Sequence, residues 1–224
     1  MGILLFVFRL FLVIKGIYGA PEVNQPRPFF VFGDSLVDNG NNNFLITPAR
    51  ADIFPYSIDS PSKLPTGRFF NGLNIPDIIS EHIGSEPVLP FLSLELHEEK
   101  LPLGANFASA GVGILNDTGF QFGEIIAMPL QLEYFKKMYE MGVRRAILLG
   151  SRPLGCAPAE IAQHNELSGE CSTDLQAAAE LFEPQVDQMV KNLNAELGTE
   201  VFISASTRLM YFDMMNNPQA YDIY

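Results

Sequence analysis

Positive charge is scarce in this chain. Lys and Arg number 14 against 26 Asp and Glu, so the 224 residues carry a formal charge of −12. A partner with a phosphate backbone calls for a basic face, so nucleic acid is excluded, while neutral or cationic substrates stay open. Charged residues of both signs reach only 18% and apolar residues 47%. That balance excludes a disordered chain and a membrane bundle, and it suits one α/β domain with a sizeable core.

Cysteine is scarcer still. Cys156 and Cys171 are the only two; they are not in metal-ligand spacing, and no phosphate-cradling loop follows a strand, so neither metal nor cofactor is implied. Long apolar runs are confined to the start of the chain. Met1 to Ala20 holds no acidic residue, is dominated by Leu, Phe, Val and Ile, and ends in Gly19 and Ala20. It reads as a secretory signal peptide, with an uncleaved signal anchor as the alternative; it is too short and too charged for a comfortable span. Secretion implies an extracellular protein with no stable membrane span after cleavage. It also favours a Cys156–Cys171 bridge over two free buried thiols, worth about 3 kcal/mol for a loop of this length. Asn116-Asp117-Thr118 is an N-glycosylation sequon.

No repeat, low-complexity tract or linker divides residues 21–224, which read as a single domain. Residues 29–32 predict a strand, Asn74 to Gly84 a short helix with Pro76 near its start, and Ala105 to Ser109 a strand entering a glycine turn. Leu130, Tyr134, Met138 and Met141 fall at helical spacing. Arg145 to Leu149 predicts a strand, and a long helix runs from about Ser172 to Gly198, kinked at Pro184. Val201 to Ile203 is the next strand. Strand, helix, strand in that order is a βαβ unit, and the architecture it predicts is a three-layer α/β/α sandwich on a parallel sheet.

The most informative stretch is Phe29-Phe30-Val31-Phe32-Gly33-Asp34-Ser35-Leu36-Val37-Asp38-Asn39-Gly40-Asn41-Asn42. It places a hydroxyl at the carboxyl end of a buried strand, where open α/β sheets hold their reactive groups. The stretch resembles the signature of the plant-type GDSL (SGNH) esterases and lipases. Gly104-Ala105-Asn106-Phe107-Ala108-Ser109-Ala110-Gly111-Val112-Gly113 resembles the family's second block. Further similar stretches are Pro65 to Gly72, Gln131 to Phe135, Pro153 to Pro158 and Asn217 to Tyr221. The resemblance implies a flavodoxin-like SGNH hydrolase fold and a small-molecule ester or lipid substrate, and it brings no obligate protein partner into view. It implies Ser35 as nucleophile and oxyanion N–H donor, and Gly111 as a second oxyanion N–H donor.

Two family blocks have no match. Gly-x-Asn-Asp, whose Asn is the third oxyanion donor, belongs between the Gln131–Phe135 helix and the Arg145–Leu149 strand. Instead, Lys136-Lys137 runs straight into Met138-Tyr139-Glu140. The only Asn-Asp, Asn116-Asp117, lies in the second block. No Asp-x-x-His occurs before Tyr224; the residues three before His82, His97 and His164 are Ile79, Leu94 and Ile161. The sequence therefore reads as a truncated or exon-skipped member lacking a central strand and the C-terminal catalytic segment. Loss of that strand would leave the first strand facing the fourth, or two unpaired edges. Its activity is expected to be either that of a secreted serine ester hydrolase or that of a catalytically silent remnant.

Overall fold

A computed structural model describes residues 28–113, 115, 117–140, 146–150, 152–163 and 169–221. The signal-peptide reading of residues 1–20, the sequon asparagine Asn116 and His164 lie outside them. The chain divides into two units after Gly142.

In the first unit, β1 (Phe29–Val31) pairs in parallel with β2 (Gly104–Asn106), Phe29 opposite Gly104 and Val31 opposite Asn106. Two hydrogen bonds carry the pairing past the strand ends: Phe107 N–H to Val31 O at 2.7 Å and Ser109 N–H to Gly33 O at 3.0 Å. β2 stops short of the expected Ser109. The Asn106 side chain explains this, because its Oδ1 accepts the Ala108 N–H at 2.9 Å and turns the chain. Residues 89–91 flank the other side of Asn106, whose N–H reaches Leu89 O while its carbonyl accepts from Phe91. The core is aromatic. Phe107 is fully buried, with Phe32, Phe91 and Tyr134 at centroid distances of 5.1, 4.7 and 5.0 Å; each such contact adds about 0.5–1.5 kcal/mol beyond burial.

Helix α1 (Ile75–His82) starts where Asn74 and Asp77 form a reciprocal capping box, with Pro76 in the first turn. Arg68 then grips Asp77 through both carboxylate oxygens, at 2.7 and 2.8 Å. Helix α2 (Met128–Glu140) runs unbroken through Lys137-Met138, the point where the sequence leaves no room for a strand.

In the second unit, β3 (Ala146–Leu149) pairs in parallel with β4 (Phe202–Ala205), Ile147 opposite Ile203. Among the described residues each unit holds one two-stranded parallel sheet, β1 with β2 and β3 with β4. Between β3 and β4 lie α3 (Pro158–Gln163) and the long α4 (Thr173–Leu197), which continues through Pro184 and ends at Gly198 with φ 65°. Asn194 ties α4 to β4: its Oδ1 accepts from Val201 and Phe202 N–H, and its Nδ2 donates to Phe202 O. A Cys156–Cys171 disulfide fastens the turn before α3 to the start of α4. Two helices escaped the sequence reading, α3 and α5 (Thr207–Asn216). The second carries a legible start, Ser206, whose Oγ accepts the Leu209 N–H.

Candidate active site

Ser35 lies in a tight turn just past β1. Asp34 closes it: its backbone carbonyl accepts from Val37 and Asp38 N–H, and its carboxylate accepts from Leu36 N–H at 2.9 Å. Gly33 has φ 146°, and a Cβ there would lie 2.7 Å from Val37 Cγ2, so only glycine lets the strand break sharply enough. Gln131 of α2 then holds Gly33 from both sides. Its Oε1 accepts the Gly33 N–H at 2.7 Å, and its Nε2 donates to Gly33 O and to Ile126 O, each at 3.0 Å.

Gly111 sits on the turn that leaves β2. Since Ser109 N–H bonds Gly33 O, the two turns emerge side by side at the carboxyl end of the parallel pair, where ligands bind in open α/β sheets. Gly111 has φ 89°, and a Cβ would strike the Phe122 ring at 2.5 Å. Ser35 and Gly111 are both partly exposed. Among the described residues neither backbone N–H has an acceptor, and Ser35 Oγ has no hydrogen-bond partner. An oxyanion hole needs N–H groups of this kind, since donors already satisfied by protein cannot serve a developing charge.

The surrounding polar residues are buried and nearly all accounted for. Asp38 accepts Gly40 and Asn41 N–H on one oxygen at 2.7 and 2.8 Å, and Ala110 N–H on the other at 3.0 Å. Asn41 Nδ2 donates to Asn106 O and Ala108 O, both at 2.8 Å. Asn42 Nδ2 donates to Ala110 O at 2.9 Å, and its Oδ1 accepts from Ser109 Oγ at 2.6 Å. Asn39 bonds Val88 O and the Asn74 side chain, which links the site to the α1 cap. Burial pushes the Asp38 carboxyl up to about 6, against backbone donors at Gly40, Asn41, Ala110 and Asn42 that favour its charged form.

This scaffold was not recognised in the sequence, where Asp38 to Asn42 reads as a polar turn. The available signal was density: four polar side chains in five residues close after Ser35. His82, at the end of α1, and His97 are both exposed, and neither bonds Ser35. Asp117 is exposed, and no three His, Cys, Asp or Glu side chains gather as a metal site among the described residues.

No family model matches the chain. Curated relatives do. The GDSL esterase/lipase LTL1 of Arabidopsis thaliana is 42% identical over 283 residues, covering 96% of this chain and 76% of the relative. GDSL esterase/lipase At4g28780 of the same plant is 43% identical, covering 89% of this chain and 72% of its own length. GDSL esterase/lipase At5g18430, also from A. thaliana, is 42% identical, with 95% and 77% covered. The chain belongs to the plant GDSL esterase/lipase family.

Membership makes it a chain of a carboxylic ester hydrolase family and assigns it the SGNH hydrolase fold, in keeping with the parallel α/β pairing. The other GDSL-like stretches have structural employment. Gly67 backs directly onto Gly40, where a Cβ would lie 2.6 Å from the Gly40 Cα; Arg68 binds Asp77; Gln131 holds Gly33, before the Ser35 turn. The three matched stretches, 283, 266 and 280 residues long, each exceed the 224 residues of this chain. Each relative therefore carries residues within the match that have no counterpart in this chain.

Proposed function

We propose that Ser35 and Gly111 form the acyl-transfer half of a serine ester hydrolase, secreted and extracellular, acting on small carboxylic esters or lipids. The observation that carries it is that, among the described residues, neither the Ser35 nor the Gly111 N–H has an acceptor and the Ser35 hydroxyl has no partner. Ser35 Oγ attacks the acyl carbonyl, and its proton passes to a base. The tetrahedral oxygen takes its charge between the two N–H groups, the alcohol leaves with a proton, and water then hydrolyses the acyl-enzyme to release the acid.

The described residues complete only part of this machinery. α2 runs straight through the position of the Gly-x-Asn-Asp block, and relatives match over stretches longer than the chain. Both support an internally shortened member without the third oxyanion donor. The described histidines are exposed and unconnected to Ser35. An intact site stripped of a triad member keeps only roughly 10³–10⁴-fold catalysis over water. We therefore assign this chain slow ester hydrolysis at best, with the nucleophile half retained.

The test is p-nitrophenyl butyrate hydrolysis by the purified chain beside its Ser35→Ala variant. A small Ser35-dependent excess over background is the expected result. Turnover above about 1 s⁻¹, the low end for enzymes, would mean that a base is engaged and the half-site reading is wrong. Equal rates would point to a silent remnant.

A further inference from the structure

A glycine at position 111 does not by itself decide where its N–H points. Residues 109–112 form a β-turn, in which the Val112 N–H reaches Ser109 O at 3.4 Å and the Ala110–Gly111 peptide lies at the centre. Such turns come in two common forms that differ by turning over the central peptide. Gly111, at φ 89°, adopts the form that needs a positive φ. Glycine takes either sign of φ readily, so its own sterics leave the alternative open, with the N–H turned over. The peptide has to be held from outside.

That hold falls on one side chain. Asn42 Nδ2 donates to Ala110 O at 2.9 Å, and among the described residues that carbonyl has no other donor. Ala110 O and the Gly111 N–H belong to one planar trans peptide and point to opposite sides of it. Fixing the oxygen therefore fixes the direction of the N–H. Asn42 is itself immobile, almost fully buried and engaged at every polar site. Its Nδ2 also donates to Ala49 O at 2.8 Å, and its Oδ1 accepts from Ser109 Oγ at 2.6 Å.

We infer that Asn42 is a positioning residue for the oxyanion hole: by holding Ala110 O it keeps the Gly111 N–H in the orientation in which it is left free for an oxyanion. The inference rests on the reading of Gly111 as an oxyanion donor. The same hold is tied to the nucleophile turn. Ser109 Oγ accepts the Ile126 N–H at 2.9 Å, Ile126 O accepts from Gln131, and Gln131 clamps Gly33, two residues before Ser35. One buried chain of uncharged groups thus sets both turns.

Asn41 supplies the contrast. It is equally buried and also donates twice to backbone, to Asn106 O and Ala108 O, each at 2.8 Å. Neither of those carbonyls lies on the Gly111 peptide. Removing either side chain should destabilise the first unit to a similar degree, so stability does not separate the two asparagines.

The residual dipolar coupling of the Gly111 N–H, measured by NMR on the intact chain in an aligned medium, does separate them. In Asn42→Ala it should depart from the wild-type value, and in Asn41→Ala it should stay. An unchanged coupling in Asn42→Ala would overturn the inference, as would equal changes in both variants. Where Asn42→Ala does not fold, the scalar coupling across the hydrogen bond from Asn42 Nδ2 to the Ala110 carbonyl decides in the wild type: its presence upholds the hold and its absence overturns it. Labelling of Ser35 by a fluorophosphonate probe tests the underlying reading on the same samples. Loss of one oxyanion donor costs about 10²–10³-fold, so labelling of Asn42→Ala should slow by roughly tenfold or more. A changed coupling with unchanged labelling overturns the oxyanion role of Gly111 and the inference with it. Slowed labelling with an unchanged coupling overturns the inference alone. A wild type that takes no label counts against Ser35 as nucleophile, and the coupling still decides for Asn42.

Discussion

The two units of this chain are stabilised by opposite means. The first encloses a buried polar lattice around an aromatic centre, with Asp38, Asn41, Asn42, Asn106 and Phe107 all nearly inaccessible to solvent. The second has few fully buried apolar residues, among them Ala179, Val190 and Val201, and relies on a disulfide and on side chains bonded to backbone. Its two strands display Ile147 and Ile203, which face each other in register, at 56% and 50% exposure. Satisfied polar groups inside a protein rigidify a unique geometry, at the cost that each lost partner is felt fully. The first unit is therefore the one built to hold its side chains in a single geometry.

The largest effect should come from Phe107→Ala. Removing a fully buried ring costs about 3–5 kcal/mol, and the rings of Phe32, Phe91 and Tyr134 would lose their common neighbour. Hydrogen exchange read by mass spectrometry should show protection lost throughout the first unit and kept in α4. Loss in both units would mean that they unfold as one, and the contrast between them would fail. Replacing both Cys156 and Cys171 with Ser is the mirror experiment. Opening a loop of this size costs about 3 kcal/mol, and here the protection lost should be that of α4 and β4.

Asp38 gives the next effect, and its sign is unusual for a carboxylate. Its pKa is raised in the folded state to about 6 from 3.8. Between those values the folded chain holds a proton that the unfolded chain has released, so stability falls as pH climbs from about 4 to 6 and is flat above. Two pKa units correspond to roughly 2–3 kcal/mol. Subtracting the urea-unfolding pH profile of Asp38→Asn from that of the wild type should expose this slope; a difference that rises with pH over the same range would reverse the assignment. Asn74→Ala should cost less, about 1–2 kcal/mol for a lost N-cap, read as a lower urea midpoint for the first unit.

These predictions rest on features the sequence disclosed unevenly. Strands, the long α4 and the start of α1 were legible because each follows a local rule: β-prone runs ended by glycine, apolar steps of three and four, and a proline in the first helical turn. Ser35 and Gly111 were singled out from motif alone. The lattice that holds them was not, because Asp38, Asn41 and Asn42 bond to Asn106, Ala108 and Ala110 more than sixty positions away. A polar residue's preference for turns says nothing about which distant carbonyl it will meet. β2 ended early for a related reason, a side chain competing with the ladder for the backbone. α3 was missed because six residues are too few for periodicity to show.

The smallest expected effect is also the sharpest on the second unit. Ile203→Thr keeps a β-branched residue in β4 and removes apolar surface from the open face of the sheet. If that face meets water, as the exposure of Ile147 and Ile203 indicates, the change in stability should stay within about 0.5 kcal/mol. The onset of light scattering on heating should rise, because an exposed apolar pair in register favours self-association. A destabilisation above about 1 kcal/mol would mean that the face is covered in solution. The second unit would then have a packed interior like the first, and its dependence on the disulfide should shrink to match.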